Sequence, residues 1–219
     1  MTRFHETAVA SEAHWMMQLG ERFAFEGLLA QLAPRIAVEI GTWEGGSLRR
    51  IAAHAGHVHA FDIDERSVPH AAALDNATLH LGDGAVEVPR VLAELHARGE
   101  AVDFALVDGL HTYDAVQADA RSLLDADACH TTTIVFHDTA HAGVRAGLDD
   151  LDLPSHPKVS LWLPDFVPGY LVRDDDELPE EIRGRGFNGL GLLVLDQAYR
   201  PETSGHEIFV PFDRLEPRS

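Results

Sequence analysis

Four side chains able to handle protons or metals fall in two short stretches of the chain. Asp108 and His111 lie in Val107-Asp108-Gly109-Leu110-His111, and His137 and Asp138 lie in Phe136-His137-Asp138-Thr139. Asp108 and His111 are three residues apart across a glycine turn, so both can face one pocket. Each stretch ends an apolar run that reads as a strand, and pairing of those strands would bring Asp138 near Asp108. Two carboxylates so placed are a seat for Mg²⁺, which prefers oxygen ligands and retains waters. A cation there would acidify a substrate hydroxyl, and His111, with an unperturbed pKa near ~6.5, could take the proton. His137 adds a nitrogen donor, better suited to Zn²⁺ or Fe²⁺ than to Mg²⁺. Strand alternation also allows it to pack inward.

A second set of residues reads as a binding cleft. Glu39-Ile40-Gly41-Thr42-Trp43-Glu44-Gly45-Gly46-Ser47 follows an apolar run, with glycines that permit a tight turn and a serine that can cap the next helix. Trp43 occupies the second glycine position of the dinucleotide fingerprint, which disfavours a nicotinamide dehydrogenase. Asp62 lies 21 residues after Gly41, the spacing of a carboxylate that accepts from both ribose hydroxyls. Asp83, in Leu81-Gly82-Asp83-Gly84, could accept from an adenine amino group. Helix capping is the simpler role for Asp62, Asp64 or Asp83 taken singly. Three such features in chain order are harder to explain that way.

The elements that must position these residues alternate regularly. Strands are expected at Ile36–Ile40, His57–Phe61, Ala77–Leu81, Val102–Val107 and Thr133–His137. Helices are expected at Ser47–Ala55, Glu65–Leu74, Gly84–Arg98 and Thr112–Leu124. Val88, Leu92 and Leu95 share one helical face, as do Val116, Ala120, Leu123 and Leu124. Such alternation implies parallel strands with right-handed crossovers, an α/β doubly wound sheet in which ligands bind beyond the carboxyl ends of the strands. Before it, helices are expected over Ser11–Gly20 and Glu21–Ala33, ended by Pro34. After it, Val159–Leu163 and Gly189–Leu195 read as a final strand pair, and the six carboxylates of Asp174–Glu181 as a solvated loop.

At 219 residues the chain fits one domain. Residues 1–35 would form a helical lid or interface segment, 36–140 the cofactor-binding core, and 141–219 the closing strands and substrate-side loops. Seventeen basic against 36 acidic residues give a net charge of −19, which argues against nucleic acid and anionic membranes as partners. The single cysteine, Cys129, fits a reducing cytoplasm and a buried, inert thiol. Trp15, Met16, Met17, Phe23, Phe25, Leu28 and Leu29 offer enough apolar surface to close over the cleft or to pair with a second subunit. Asp119 lies mid-helix and is expected to be structural. Tyr113, His141, Trp162, Phe166 and Tyr170 are candidates to line an acceptor site.

The blocks VEIGTWEGGS (38–47), HAFDID (59–64), LHLGDG (79–84), DFALVDGLHTYDAVQADARSLL (103–124) and TIVFHDT (133–139) resemble the class I S-adenosylmethionine-dependent methyltransferases. Among these, they are most similar to the macrocin-type sugar O-methyltransferases. The resemblance implies a Rossmann-like, mostly parallel sheet with an antiparallel closing strand. It places Glu39 and Gly41 at the methionine part of the cofactor, Asp62 at the ribose and Asp83 at the adenine. It makes Asp108 and Asp138 ligands of Mg²⁺ or another divalent cation, with His137 where the family often has a further acid, and makes His111 the base. The expected function is O-methylation of a sugar or other hydroxylated natural product. The alternatives are an iron hydroxylase, with His137, Asp138 and Asp108 as ligands, and a non-catalytic S-adenosylmethionine-binding module.

Overall fold

Strands covered on both faces are near-continuous apolar runs, and the centre of this sheet follows that rule. In the computed structural model, which describes residues 15–196 together with Val9 and Ala198, the chain runs α1 (Leu19–Leu32), β1 (Ile36–Ile40), α2 (Gly46–His54) and β2 (His57–Asp62). It continues through a 3-10 turn (Glu65–Ser67), α3 (Val68–Ala72), β3 (Ala77–Leu81), α4 (Gly84–Ala97), β4 (Phe104–Val107) and α5 (Tyr113–Asp125). β5 (Thr133–His137), α6 (Ala142–Asp149), β6 (Val159–Val167), β7 (Tyr170–Leu171), β8 (Gly186–Phe187) and β9 (Leu190–Leu195) complete the described part.

Seven strands form one sheet in the order β3-β2-β1-β4-β5-β9-β6. β3, β2, β1, β4 and β5 pair in parallel, while β9 runs antiparallel to both β5 and β6. The order reverses between β1 and β4, so a crevice opens there at the carboxyl ends of the strands. Strand alternation divides the core in two. Val38, Ile40, Ala105, Val107, Ile134 and Phe136 pack with α4, α5 and α6. Ala37, Phe104, Leu106 and Val135 pack with α1 and α2.

Several boundaries differ from expectation. The strand expected from Val102 starts at Phe104, because Asp103 instead accepts from the Arg35 and Ile36 N–H groups. The helix expected over Glu65–Leu74 is a 3-10 turn followed by five helical residues. Ser47 is not a cap: Gly45, in the left-handed region, takes the N-cap position of α2. Residues 11–14 of the expected first helix lie outside the described residues. Trp15–Gln18 is not helical, and α1 begins at Leu19. α6 and the small β7–β8 pair, each too short to show a periodicity, were not expected.

The N-terminal apolar residues are largely spent within the chain itself. Trp15, Met17, Phe25 and Leu29 are buried, and Trp15 meets Phe25 edge-on as Phe25 meets Phe104. Met16, Leu19 and Phe23 stay exposed. Cys129 is buried, and burial pushes its thiol up to about 11, so it is unreactive. Among the described residues, no helix is long and apolar enough to cross a membrane.

Candidate active site

The turn after β1 passes against the turn after β4. Gly41 has φ +89°, and a Cβ there would stand 2.1 Å from the Asp108 carbonyl oxygen, so only glycine lets the two turns meet. Asp62, at the end of β2, clasps the same turn. Its Oδ2 accepts from the N–H groups of Thr42 (2.8 Å) and Trp43 (2.6 Å), and its Oδ1 accepts from the Asp64 N–H (2.8 Å). Asp62 therefore shapes the cleft as well as facing it. Asp83 accepts from the Ala85 N–H and caps α4.

These groups border a cleft of about 370 Å³. Its lining includes Ile40, Gly41, Asp108 and Gly109 from the ends of β1 and β4, Asp62 and Ile63 from that of β2, Asp83 and Gly84 from that of β3, and Ala115 and Asp119 from α5. Glu39 is not in its wall. It is fully buried, accepts from Thr42 Oγ1 at 2.8 Å, and keeps its Oε1 without a partner among the described residues. Burial, together with the charges of Asp108 and Asp62, raises its carboxyl to about 8 against the countering hydroxyls of Ser47 and Thr42. An acid protonated in the fold and ionised when unfolded loses stability as pH rises from about 4.5 to about 8. Glu39→Gln is therefore expected to gain thermal stability relative to the parent steadily across that window. A difference independent of pH would show that Glu39 is ionised in the fold.

A second cleft, of about 240 Å³, shares Gly41, Trp43, Asp108 and Gly109 with the first. On its other sides lie Trp15, Met16, Met17, His111, His137 and Asp138. A groove of about 450 Å³ between α4 and α5 is larger, but it lies at the far ends of those helices, away from this cluster.

Here the expected chemical residues come together. His137 Nδ1 lies 2.9 Å from Asp108 Oδ1 and 3.3 Å from Asp138 Oδ2. His111 Nε2 lies 3.1 Å from Asp138 Oδ2 and 3.7 Å from Asp108 Oδ1. Asp138 has a left-handed backbone, φ +55°, and its Oδ1 accepts from the Asn188 N–H at 2.6 Å. One donor atom each from Asp108, His137 and Asp138 lies within 4.8 Å of the others. Burial disfavours charge on His137, yet Asp108, Asp138 and Glu21 reverse this and hold its imidazole well above the usual histidine range. Burial likewise opposes the charge on Asp138, but His137 and His111 draw its carboxyl down to about 2. Asp108 and Asp138 also raise His111.

Glu21 is the residue that sequence reasoning missed. It is 1% exposed, and its Oε2 stands 3.7 Å from His137 Nε2, which has no hydrogen-bond partner among the described residues. Glu21 also accepts from the N–H groups of Gln18 and Gly189 and from Asn188 Nδ2. The signal was available, because Glu21, Phe25 and Leu29 are spaced four apart, which puts an acid at the head of a buried stripe. Asp119, expected to be structural, is buried and borders the larger cleft. Of the acceptor-site candidates, His141 comes near, with its ring 5.6 Å from that of His111. Tyr113 bonds to Asp150, Trp162 packs on Phe136, and Phe166 packs against the core. Tyr170 stacks with Phe187.

Residues 38–139 match a family model described as a methyltransferase domain. No curated protein matches the chain significantly. Among solved structures, the O-methyltransferase from Bacillus cereus in complex with SAH is 15% identical, with a TM-score of 0.59 over 85% of this chain and 86% of that one. The O-methyltransferase TomG from Streptomyces achromogenes, involved in tomaymycin synthesis and solved with SAM, is also 15% identical, with a TM-score of 0.59 over 86% and 89%. An rRNA methylase from Streptococcus thermophilus is 14% identical, with a TM-score of 0.54 over 84% of this chain and all of that one. At these identities the likeness is one of fold: the chain has a Rossmann-like methyltransferase fold, and residues 38–139 within it match the methyltransferase-domain model.

Proposed function

We propose that the protein transfers a methyl group from S-adenosylmethionine to a hydroxyl of a small molecule, a sugar or another hydroxylated natural product. The observation that carries this reading is the pair of clefts with a common wall at Gly41, Trp43, Asp108 and Gly109, one lined by acids spaced for a nucleoside and the other by Asp108, His111, His137 and Asp138. Two structural neighbours with SAH or SAM are O-methyltransferases, which supports it. The net charge of −19 argues against an RNA acceptor, although one neighbour is an rRNA methylase.

The cofactor supplies a methyl group on a sulfonium, so that an O–CH₃ bond forms as the S–CH₃ bond breaks and the acceptor proton must leave. Asp62 receives the ribose hydroxyls and Asp83 flanks the adenine. Gly41 stands at the methionine end, and Glu39, buried behind it, holds Thr42 of the same turn. Gly41 and Gly109 leave the common wall thin, which is what in-line alignment of oxygen, carbon and sulfur requires. His111, on the acceptor side, takes the hydroxyl proton.

Asp108, His137 and Asp138 fit a divalent cation: their nearest donor distances of 2.9 and 3.3 Å match edges of a coordination shell. The orphaned His137 Nε2 turns toward Glu21, the arrangement by which a carboxylate orients a ligating histidine. A bound cation would polarise the acceptor oxygen. The mixed nitrogen and oxygen donors suit Mn²⁺, Fe²⁺ or Zn²⁺ better than Mg²⁺.

The test is SAH release from S-adenosylmethionine with a panel of sugars, polyols and phenols, and with mass-spectrometric identification of the methylated product. Acceptor-dependent SAH with an O-methyl product supports the reading. Cofactor binding without transfer to any member would favour a binding module, and stoichiometric iron with a hydroxylated product would favour an oxygenase.

A further inference from the structure

We infer that the acceptor hydroxyl is carried on an aromatic ring, and that Met16 and Trp43 select such a ring over a sugar. The inference rests on the methyl transfer proposed above and names the acceptor class of the same site. The lining of the cleft of about 240 Å³ divides by chemistry. Asp108, His111, His137 and Asp138 gather within contacts of 2.9 to 3.7 Å, and together they can serve one hydroxyl or two adjacent ones.

Elsewhere the lining has little to offer a polyol. Thr42 and Ser47 commit their hydroxyls to Glu39. The N–H groups of Thr42 and Trp43 donate to Asp62, and the carbonyls of Trp15 and Met17 accept from Arg22. Trp15 Nε1 has no partner among the described residues, but it is itself sealed from solvent. A sugar here would bury hydroxyls that find no partner, at a cost for each. A tryptophan can stack on a sugar, yet the hydroxyls around that ring would still need partners. An aryl ring brings only carbon to these surfaces, and indole and thioether groups both favour aromatic neighbours.

Met16 and Trp43 are the members of this lining that the fold does not explain. Met16 is 69% exposed and Trp43 38%, whereas Trp15 and Met17 are buried. Trp43 also holds a left-handed backbone, φ +46°, which a bulky residue adopts only at a cost. A strained, half-open indole and an open thioether on one cleft are what an incoming ring would cover.

The test is calorimetry on the full chain saturated with SAH, in chelator so that metal affinity plays no part. The probes are catechol, a cyclohexanediol with adjacent hydroxyls, and methyl glucoside. Catechol should bind more tightly than the diol by about threefold to tenfold. The glucoside should be weaker again by about tenfold or more. Met16→Ser, at an exposed position, should cost catechol about threefold or more and leave SAH affinity unchanged. Trp43→Asn, which suits a left-handed residue, should weaken catechol in the same direction. The inference is overturned if catechol does not bind, if the diol or the glucoside binds as well, or if both variants leave catechol affinity unchanged. If SAH itself does not bind, the reading on which the inference rests has failed, whatever the probes do.

Discussion

Chelation is expected to abolish methyl transfer while leaving SAH binding nearly intact, because the two depend on different strand ends. The proposed cofactor contacts come from the ends of β1, β2 and β3, whereas Asp108, His137 and Asp138 follow or end β4 and β5. Replacing His111 by alanine should remove a general-base contribution of about 10²–10⁴-fold in turnover. Asp138→Asn should behave like partial chelation and recover with excess metal, since its Oδ1 contact to the Asn188 N–H can survive as an amide oxygen. Steady-state rates with calorimetry on the same samples would separate the two effects. Turnover indifferent to both chelator and His111→Ala would remove the metal and base assignments and point to an acceptor already nucleophilic, such as an amine.

The second large effect is expected at Asp62. Loss of one charge-assisted hydrogen bond costs about 1.5–3 kcal/mol, or roughly tenfold or more in affinity. Asp62→Ala should exceed this, because it also frees the N–H groups of Thr42, Trp43 and Asp64 and loosens the turn that forms the common wall. Asp62→Asn, which keeps an acceptor oxygen for that turn, should lose less. SAH titrations with parallel thermal unfolding would show both components. Unchanged affinity in Asp62→Ala would sink the ribose assignment.

The central strands were legible because a parallel strand buried on both faces has to be an apolar run, and Ile36–Ile40 and Thr133–His137 match their expected bounds. Asp108 and His111 were legible because a three-residue step over glycine returns both to one side. Glu21 was legible only as an acid on the buried stripe of α1, since its partners are 167 and 168 residues away and no local pattern encodes that meeting. Asp119 was hidden by its place within a helix: periodicity puts it near the buried face but cannot show that the face ends in a cleft. Ser47 failed as a cap because the glycine pair before it could take the left-handed turn itself.

The reach of Glu21 bears on the order in which the enzyme comes into being. Its carboxylate ties the first described helix to Asn188 and Gly189, and β9 follows directly and pairs with β5 beside His137. The walls of the larger cleft are complete by Asp119, but the seat of Asp138 needs the Asn188 N–H. During translation, long-range contacts of this kind form last. The acid–histidine cluster therefore cannot be complete before the chain has been made through Gly189, about 70 residues beyond the last residue that lines the larger cleft.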